Sequence, residues 1–432
     1  MTLANVAVLL VSFVVLLMMG VPISFTIGIA TIATMLMSIH AGPAFTTVAE
    51  RMATGLDSFA LLAIPFFILA GQLMNHGGIA RRLIDFAKVI VGRLPGGLAY
   101  VIIIASMLFG AISGSAVAAA AAIGGFMIPL MVNEGYERNF SASVNITAST
   151  TGLIIPPSNI LIVYSFASGG ASVAALFLAG YLPGIVIGLG LMVVAGVFSY
   201  RHKYPVGEKV TIKEAALKFL DAIPSIFMIV VVIGGIVAGY FTATEASAIA
   251  VAYAFILAVP IYREVKLKTI PRILLDTANT TAIVMLLIGT SIAMSWIMSY
   301  ENIPQNVSAF LVGLTDSKII ILLIINVVLL LVGTFMDMTP AVLIFTPIFL
   351  PVVSQLGINP VHFGIIMVTN LCVGLCTPPV GSVLFVGTGI AETSITKVIK
   401  PLLPLYAAMI VGLMLVTYVP WLSMYLPRLF GY

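Results

Sequence analysis

The chain has few charged side chains for its length. Only 8% of its 432 residues are Asp, Glu, Lys or Arg, whereas about a quarter are charged in an average soluble domain, and 61% are hydrophobic. So few charges cannot cover a water-soluble surface, which excludes a soluble enzyme and a disordered protein. The net charge of +4 is too small to indicate a nucleic-acid partner. With a mean hydropathy of +1.21, the composition predicts an all-α polytopic membrane protein that lies in the lipid bilayer.

Cysteine and histidine are also scarce, and their positions argue against chemistry by these side chains. Cys372 and Cys376 lie four residues apart, on one helix face, and two thiols are too few to hold a metal ion. We expect both to be buried as small apolar residues. The four histidines fall at helix ends or in loops, which argues against an intramembrane enzyme. No Gly-rich loop followed by Lys and Ser or Thr is present, so we expect no nucleotide cofactor.

Apolar runs long enough to cross a bilayer are frequent, since a crossing needs about 20 apolar residues. Two stretches, 97–132 and 317–356, are too long for one crossing and break in the middle at Gly, Ser, Asp or Pro. We predict that both are re-entrant hairpins, which enter and leave the membrane on the same side. The ten predicted crossings are 4–20, 22–40, 57–75, 139–167, 172–200, 220–240, 243–262, 272–299, 361–390 and 399–426.

The placement of Lys and Arg supports the hairpin interpretation. Cytoplasmic loops of membrane proteins collect these residues. With the N-terminus in the periplasm, sixteen of the 19 basic residues fall in cytoplasmic loops, and only Arg51, Lys318 and Arg428 do not. If either hairpin were two full crossings, every later loop would lie on the opposite side of the membrane, and the asymmetry would be lost. The charge pattern therefore predicts that both termini are periplasmic.

The two halves of the sequence repeat at an offset of 222 to 223 residues. We predict a first repeat over 1–205, a cytoplasmic linker over 206–219 and a second repeat over 220–432. Each repeat has five crossings and one hairpin, and because five is odd the second must be inverted. Inverted repeats with interrupted helices are typical of secondary transporters. The matching pairs include Gly110 with Gly333, Gly152 with Gly374, and Pro156-Pro157 with Pro378-Pro379.

Polar residues at membrane depth concentrate at four predicted breaks: the hairpin tips at 110–115 and 333–340, and the broken helices at 156–159 and 376–382. A Pro-Pro pair frees backbone carbonyls, which cannot face lipid. Such carbonyls, together with hydroxyls from a hairpin tip, suit a hard cation such as sodium. The second arm of each hairpin begins at its tip, and a helix N-terminus suits an anionic carboxylate.

Individual residues at the tips have predicted roles. Ser115 is placed to cap the second arm of the first hairpin. Thr339 followed by Pro340 has the arrangement of an N-cap and first helical residue for the second hairpin. Asp337 is an ionisable residue at membrane depth, which is costly enough to indicate a functional role.

Other polar residues have a structural explanation beside any functional one. The run Ser-Gly-Ser at 113–115, taken alone, more often marks close packing than a ligand site. Asn145, Asn326 and Asn370 are expected to form hydrogen bonds between helices. Glu245 lies near the end of a crossing, where it either caps a helix or has a function.

These segments resemble the large membrane subunit of the TRAP (tripartite ATP-independent periplasmic) transporters. The resemblance covers the whole chain, and its motifs are specific. It rests on GVPISFTIGIA (20–30), LLAIPFFILAGQLMNHGGIARRLIDFA (61–87), GAISGSAVAAAAAIG (110–124), IIPPSNILIVY (154–164), FTATEASAIAVAYA (241–254), FMDMTPAVLIFTPIFLPV (335–352) and CTPPVGSVLFVG (376–387).

The resemblance implies sodium-coupled uptake of an organic acid anion across the bacterial inner membrane. It implies two partners, a small membrane subunit and a periplasmic substrate-binding protein, and an elevator mechanism in which hairpins and broken helices move against a scaffold. One sodium site would involve Ser113, Gly114, Ser115 and Pro156. A second would involve Gly333, Asp337, Cys376, Thr377, Pro378 and Gly381. The substrate would lie between them, near Ser113, Ser115, Ser158, Asn159, Asp337 and Thr339.

Two questions stay open at the level of sequence. A single-chain or differently partnered anion:sodium symporter can share this plan of inverted hairpins. The substrate itself is also not specified, and both C4-dicarboxylates and sialic acid are candidates.

Overall fold

The computed structural model of the protein describes residues 3–206, 211–315, 317–378 and 380–432. Within these ranges the chain is α-helical, apart from turns and one isolated bridge between Pro95 and Val206. Lys209, one of the predicted cytoplasmic basic residues, and Pro379 of the second proline pair lie outside the described residues.

The helices of the first half follow one another with short connections. In the described part of this half they are α1 Leu3–Met18, α2 Ile23–Ser38, α3 Ala41–Leu56, α4 Ala63–His76, α5 Ile79–Val91, α6 Gly97–Ser113, α7 Ala116–Asn133, α8 Arg138–Thr151, α9 Asn159–Ala167 and α10 Val173–Arg201. A short 3-10 turn, Phe59–Leu62, precedes α4.

The second half is built in the same way. Its described α-helices are α11 Ile212–Val237, α12 Ala243–Ile256, α13 Ile270–Tyr300, α14 Ile303–Leu314, α15 Lys318–Phe335, α16 Met338–Gln355, α17 Pro360–Gly374, α18 Ser382–Ile390, α19 Ile395–Tyr418 and α20 Trp421–Leu429. Among the described residues, nine helices are long and apolar enough to cross a membrane. The prediction of an all-α polytopic membrane protein is confirmed.

Three helices, α3, α5 and α14, occupy segments that the sequence placed in loops, so those assignments were wrong. They are too short or carry too many charged residues for the sequence to indicate a membrane crossing. In α5 the buried Leu83 and Ala87 form part of an apolar stripe, while Arg81 is exposed on the other face.

Two predicted boundaries also differ. The last crossing does not continue to residue 426, because α19 ends at Tyr418 and a separate helix follows Pro420, whose ring nitrogen has no N–H to continue the helix. α11 begins at Ile212, within the range assigned to the linker, and Thr211 and Glu214 form a capping box at its start.

The two predicted hairpins are pairs of packed helices, α6 with α7 and α15 with α16. Their tips are shorter than predicted, because α6 stays helical to Ser113 and α15 to Phe335. The turns are therefore Gly114–Ser115 and Met336–Asp337. The broken helices are α8 and α9, interrupted over 152–158, and α17 and α18, interrupted over 375–381.

A glycine contact joins each hairpin to its broken helix. A Cβ atom added to Gly110 would lie 2.8 Å from the Cα of Gly152, and one added to Gly333 would lie 3.0 Å from the Cα of Gly374. No side chain fits between these backbones. These four glycines are the ones that match at the repeat offset, so equivalent positions in the two halves make the same contact.

Candidate functional site

A cavity of about 290 Å³ lies where the two hairpin tips meet. It is bordered by both tips, by the starts of α9 and α18, and by α4 and α13. Its polar lining residues are Gln72, Asn75, Ser113, Ser115, Asn159, Thr280, Asp337, Thr339 and Ser382. The four breaks predicted from the sequence thus supply most of the polar surface of one cavity.

The first tip is a neutral turn held by its own side chains. Gly114 has a left-handed backbone with φ of +63°, and a Cβ there would lie 2.7 Å from the Asn159 amide nitrogen. Ser115 is the N-cap of α7, and its hydroxyl accepts a hydrogen bond from the backbone N–H of Ala118 at 3.2 Å. The predicted cap is confirmed.

The second tip carries a carboxylate. Asp337, and not Thr339, occupies the N-cap position of α16, so the predicted capping role of Thr339 was wrong. Asp337 has an extended backbone (φ −69°, ψ 162°), whereas Thr339 and Pro340 already lie in the first turn, where a proline is tolerated because the N–H groups have no helical partner. The Asp337 side chain forms no capping hydrogen bond, is exposed and lines the cavity.

The two helix breaks have matching geometry at their starts. The N–H of Ile155 donates to the carbonyl of Gly152 at 3.2 Å, and the N–H of Thr377 donates to that of Gly374 at 2.9 Å. In the second half, the N–H of Gly381 also donates to the carbonyl of Thr334 at 3.0 Å, which joins the break to the second hairpin.

Two hydroxyls at these breaks lack partners. The Oγ atoms of Ser158, before α9, and Ser382, at the start of α18, are buried and form no hydrogen bond with any residue that the structure describes. Buried polar atoms are nearly always hydrogen-bonded, so these two are available to a ligand.

The predicted substrate-binding residues mostly converge. Ser113, Ser115, Asn159, Asp337 and Thr339 line the cavity. Ser158 does not line the cavity. It immediately precedes the lining residue Asn159, and only 1% of its surface is exposed.

The predicted sodium ligands divide into two groups. Ser113, Gly114, Ser115 and Asp337 line the cavity. From the second break, Leu375 and Ser382 line the cavity instead. The predicted ligands that do not line the cavity are Pro156, Gly333, Cys376, Thr377, Pro378 and Gly381.

Two of these outlying residues already have contacts. The thiol of Cys376 lies 3.5 Å from the Ile146 carbonyl and 3.5 Å from the Thr150 hydroxyl, so it faces α8. The hydroxyl of Thr377 donates to the carbonyl of Val373 at 2.8 Å, and it lies 3.1 Å from the hydroxyl of Tyr406. Any role of these residues toward an ion would fall to their backbone carbonyls or to the remaining lone pairs.

Sequence reasoning missed the polar residues on α4 and α13. Gln72, Asn75 and Thr280 line the cavity, but their helices were read as plain crossings. The available signal was the spacing of Gln72 and Asn75, which puts two amides on one face of an apolar helix. None of the described lining residues is Lys, Arg or His.

The structural explanations offered for three asparagines and for Glu245 are confirmed. Asn145 donates to the carbonyl of Ala120 at 3.1 Å, and Asn370 donates to the side-chain oxygen of Asn326 at 2.7 Å. Asn326 in turn donates to Thr417 at 3.1 Å. Glu245 completes a capping box with Thr242. Cys372 and Cys376 are both buried and free, as expected.

The family model of the DctM component of tripartite ATP-independent periplasmic transporters matches residues 10–422. The chain is 54% identical to the uncharacterized protein YgiK of Salmonella typhimurium, over 99% of this chain and 98% of that protein. It is 40% identical to the C4-dicarboxylate TRAP transporter large permease protein DctM of Rhodobacter capsulatus, over 97% and 98%. It is 36% identical to the sialic acid TRAP transporter large permease protein SiaM of Vibrio cholerae, over 96% and 97%.

Among solved structures, the chain is similar to the YdaH transporter of Alcanivorax borkumensis. The TM-score is 0.65, and the match covers 87% of each chain at 14% identity. At this identity the likeness concerns the fold alone, which is that of a membrane transporter.

Proposed function

Because the chain belongs to the DctM component family of the TRAP transporters, we propose that it performs sodium-coupled uptake of an organic acid anion across the bacterial inner membrane. Its partners are a small membrane subunit and a periplasmic substrate-binding protein. The observation that carries this proposal is the cavity, since both hairpin tips and the starts of both broken helices line it. The names of the relatives favour a C4-dicarboxylate as substrate, with sialic acid as the second candidate.

The anion is held by backbone donors and hydroxyls. The first residues of four helices, Ala116, Asn159, Met338 and Ser382, line the cavity. Helix N-termini offer unpaired N–H groups and the positive end of the helix dipole. With no basic side chain in the described lining, these groups are the ones available to a carboxylate.

Sodium is transported together with the substrate. A hard cation prefers oxygen ligands, and the unpartnered Ser158 hydroxyl and the Asp337 carboxylate supply them. The first ion binds at the first tip and break and the second at the second tip and break. The residues predicted from the sequence are Ser113, Gly114, Ser115 and Pro156 for the first ion, and Gly333, Asp337, Cys376, Thr377, Pro378 and Gly381 for the second. To the first set we add the hydroxyl of Ser158, because it is buried and unpartnered among the described residues.

The two hairpins enter the membrane from opposite sides, and both termini are periplasmic. The matching glycine contacts support the repeat from which this topology follows. We expect a cysteine placed at Asn133, where α7 ends, to react with a membrane-impermeant thiol reagent only from the cytoplasm. A cysteine at Asn359, just before α17, should react only from the periplasm. Equal access from the periplasm to both positions would contradict the inverted repeat.

Uptake in proteoliposomes tests the proposed function. The chain is reconstituted with its small subunit and binding protein, and radiolabelled succinate or sialic acid is supplied with an inward gradient of sodium or of potassium. We expect uptake only with sodium. Equal uptake with potassium would contradict sodium coupling, and sodium-driven uptake without the binding protein would favour a single-chain anion:sodium symporter.

A further inference from the structure

Another part of the cavity wall is built by two helices that belong to neither hairpin nor broken helix. α4 and α13 pack against each other. α4 also touches the first tip, since a Cβ added to Gly71 would lie 2.9 Å from the carbonyl oxygen of Ser113. On the same helix, Gln72 and Asn75 also line the cavity, and Thr280 lines it from α13.

These side chains are free to bind a ligand. The amides of Gln72 and Asn75 are half-buried, and neither forms a hydrogen bond within the described part of the chain. The Thr280 hydroxyl donates to the carbonyl of Asp276 at 2.9 Å, which leaves its lone pairs able to accept. Unpaired amides facing a cavity within an apolar helix bundle require water or a ligand.

We propose that Gln72, Asn75 and Thr280 form the second half of the substrate site and bind a second polar group of the organic acid. This inference rests on the proposed function and narrows its substrate class. One carboxylate of the acid meets the helix N-termini at the tips, and its other carboxyl, carbonyl or hydroxyl group meets the amides.

The chemistry of the two sides explains this division. An amide both donates and accepts hydrogen bonds, so it suits a hydroxyl, a carbonyl or a carboxyl group. A monocarboxylate with an apolar tail would leave Gln72 and Asn75 unpaired, and sites built to hydrogen-bond a group reject analogues that lack it. The transported acid therefore carries at least two polar groups.

The test uses a single reactive cysteine as a reporter of occupancy. Val117 lines the cavity and is 38% exposed, whereas the native Cys372 and Cys376 are fully buried. In the purified Val117→Cys protein, a bound acid should slow modification by a thiol reagent. The half-protecting concentration of succinate and of butyrate is measured with sodium present, which reports affinity without the binding protein.

We expect succinate to protect far better than butyrate. Adding Gln72→Leu and Asn75→Leu should raise the half-protecting concentration of succinate about tenfold, as for one or two lost hydrogen bonds, and leave that of butyrate unchanged. Gln305→Leu, the same change on an exposed residue of α14, is the matched control. If the double variant does not fold, Gln72→Glu is used instead. It keeps the shape of the side chain and should weaken the binding of succinate by adding a negative charge.

The outcomes separate the inference from the function on which it rests. An unchanged half-protecting concentration of succinate in these variants would overturn the inference alone. Protection by no acid, sialic acid included, would overturn the proposed function and the inference with it.

Discussion

The two halves of the molecule share a backbone plan but differ in chemistry. Each hairpin contacts its broken helix through a matching glycine pair, and each break starts with a hydrogen bond to the second glycine of that pair. The first tip is neutral and its serine caps the following helix, whereas the second tip presents a carboxylate to the cavity. Matching backbone contacts are thus found in both halves, while single residues set the charge at each tip.

This difference assigns separate tasks to the two tips. The hydroxyl of Ser115 is engaged by the backbone of α7, so it mainly holds the turn. Asp337 makes no capping bond and remains available to a cation. Two anions near one helix start repel each other unless a cation lies between them. Under the proposed function, sodium would therefore promote substrate binding mainly through the second half.

Removing the charge of Asp337 should give the largest effect. Asp337→Asn keeps the shape of the side chain but weakens its interaction with sodium, so we expect more than about tenfold slower sodium-driven uptake. Uptake in proteoliposomes at several sodium concentrations measures it, and Asp57→Asn, outside the cavity lining, is the control. If the variant keeps the wild-type uptake rate and sodium response, Asp337 has only a structural role at the start of the helix.

Substituting the paired glycines should destabilise both halves. Gly110→Ala and Gly333→Ala each force a methyl group against a backbone, which costs about 1–3 kcal/mol of stability, and the closer contact makes Gly110→Ala the larger effect. Thermal unfolding in detergent measures it. Gly125→Ala, whose added Cβ meets nothing within 4 Å, should be harmless. A stable Gly333→Ala protein would show that the contact is not equivalent in the two halves.

Loss of the cap at the first tip should have a moderate effect. Ser115→Ala removes the acceptor for the Ala118 N–H and should lower stability by about 1 kcal/mol. Ser172→Ala is matched to it, because Ser172 caps α10 through Ala175 in the same way at 3.3 Å outside the cavity. We expect similar losses of thermal stability from both, but weaker sodium binding only in Ser115→Ala. Weaker sodium binding in both variants would contradict a specific role of the first tip in sodium binding.

The smallest effect on stability should come from Ser158. Its hydroxyl has no partner, so Ser158→Ala loses no hydrogen bond and should unfold at the wild-type temperature. If the hydroxyl binds sodium, the sodium concentration that gives half-maximal uptake should rise. A clear loss of thermal stability would show instead that the hydroxyl has a structural partner.

The breaks predicted from the sequence identified several of the residues that line the cavity. The hairpin tips and the proline breaks stood out because polar residues and prolines are conspicuous in apolar helices, and Ser113, Asn159 and Asp337 were found in this way. The N-cap of α16 was misassigned because a proline is acceptable throughout the first turn, so Pro340 did not fix the start of the helix.

The part of the cavity wall that α4 and α13 supply could not be predicted. Gln72 and Thr280 lie far apart in sequence, and only packing brings α4 and α13 against the tips. Likewise, Cys376 was expected among the residues of an ion site, but its side chain faces α8. Which side of a broken helix faces a cavity depends on tertiary contacts that the local sequence does not contain.

The coupling between sodium and substrate at Asp337 tests the account most directly. Substrate affinity is measured as a function of sodium in the wild-type protein and in Asp337→Asn, and sodium affinity is measured with and without substrate. We predict that sodium raises substrate affinity in the wild type, and that substrate raises sodium affinity by the same factor, corresponding to about 1–3 kcal/mol of coupling. The coupling should largely disappear in Asp337→Asn. Full coupling in that variant would contradict the assignment of sodium dependence to the second tip.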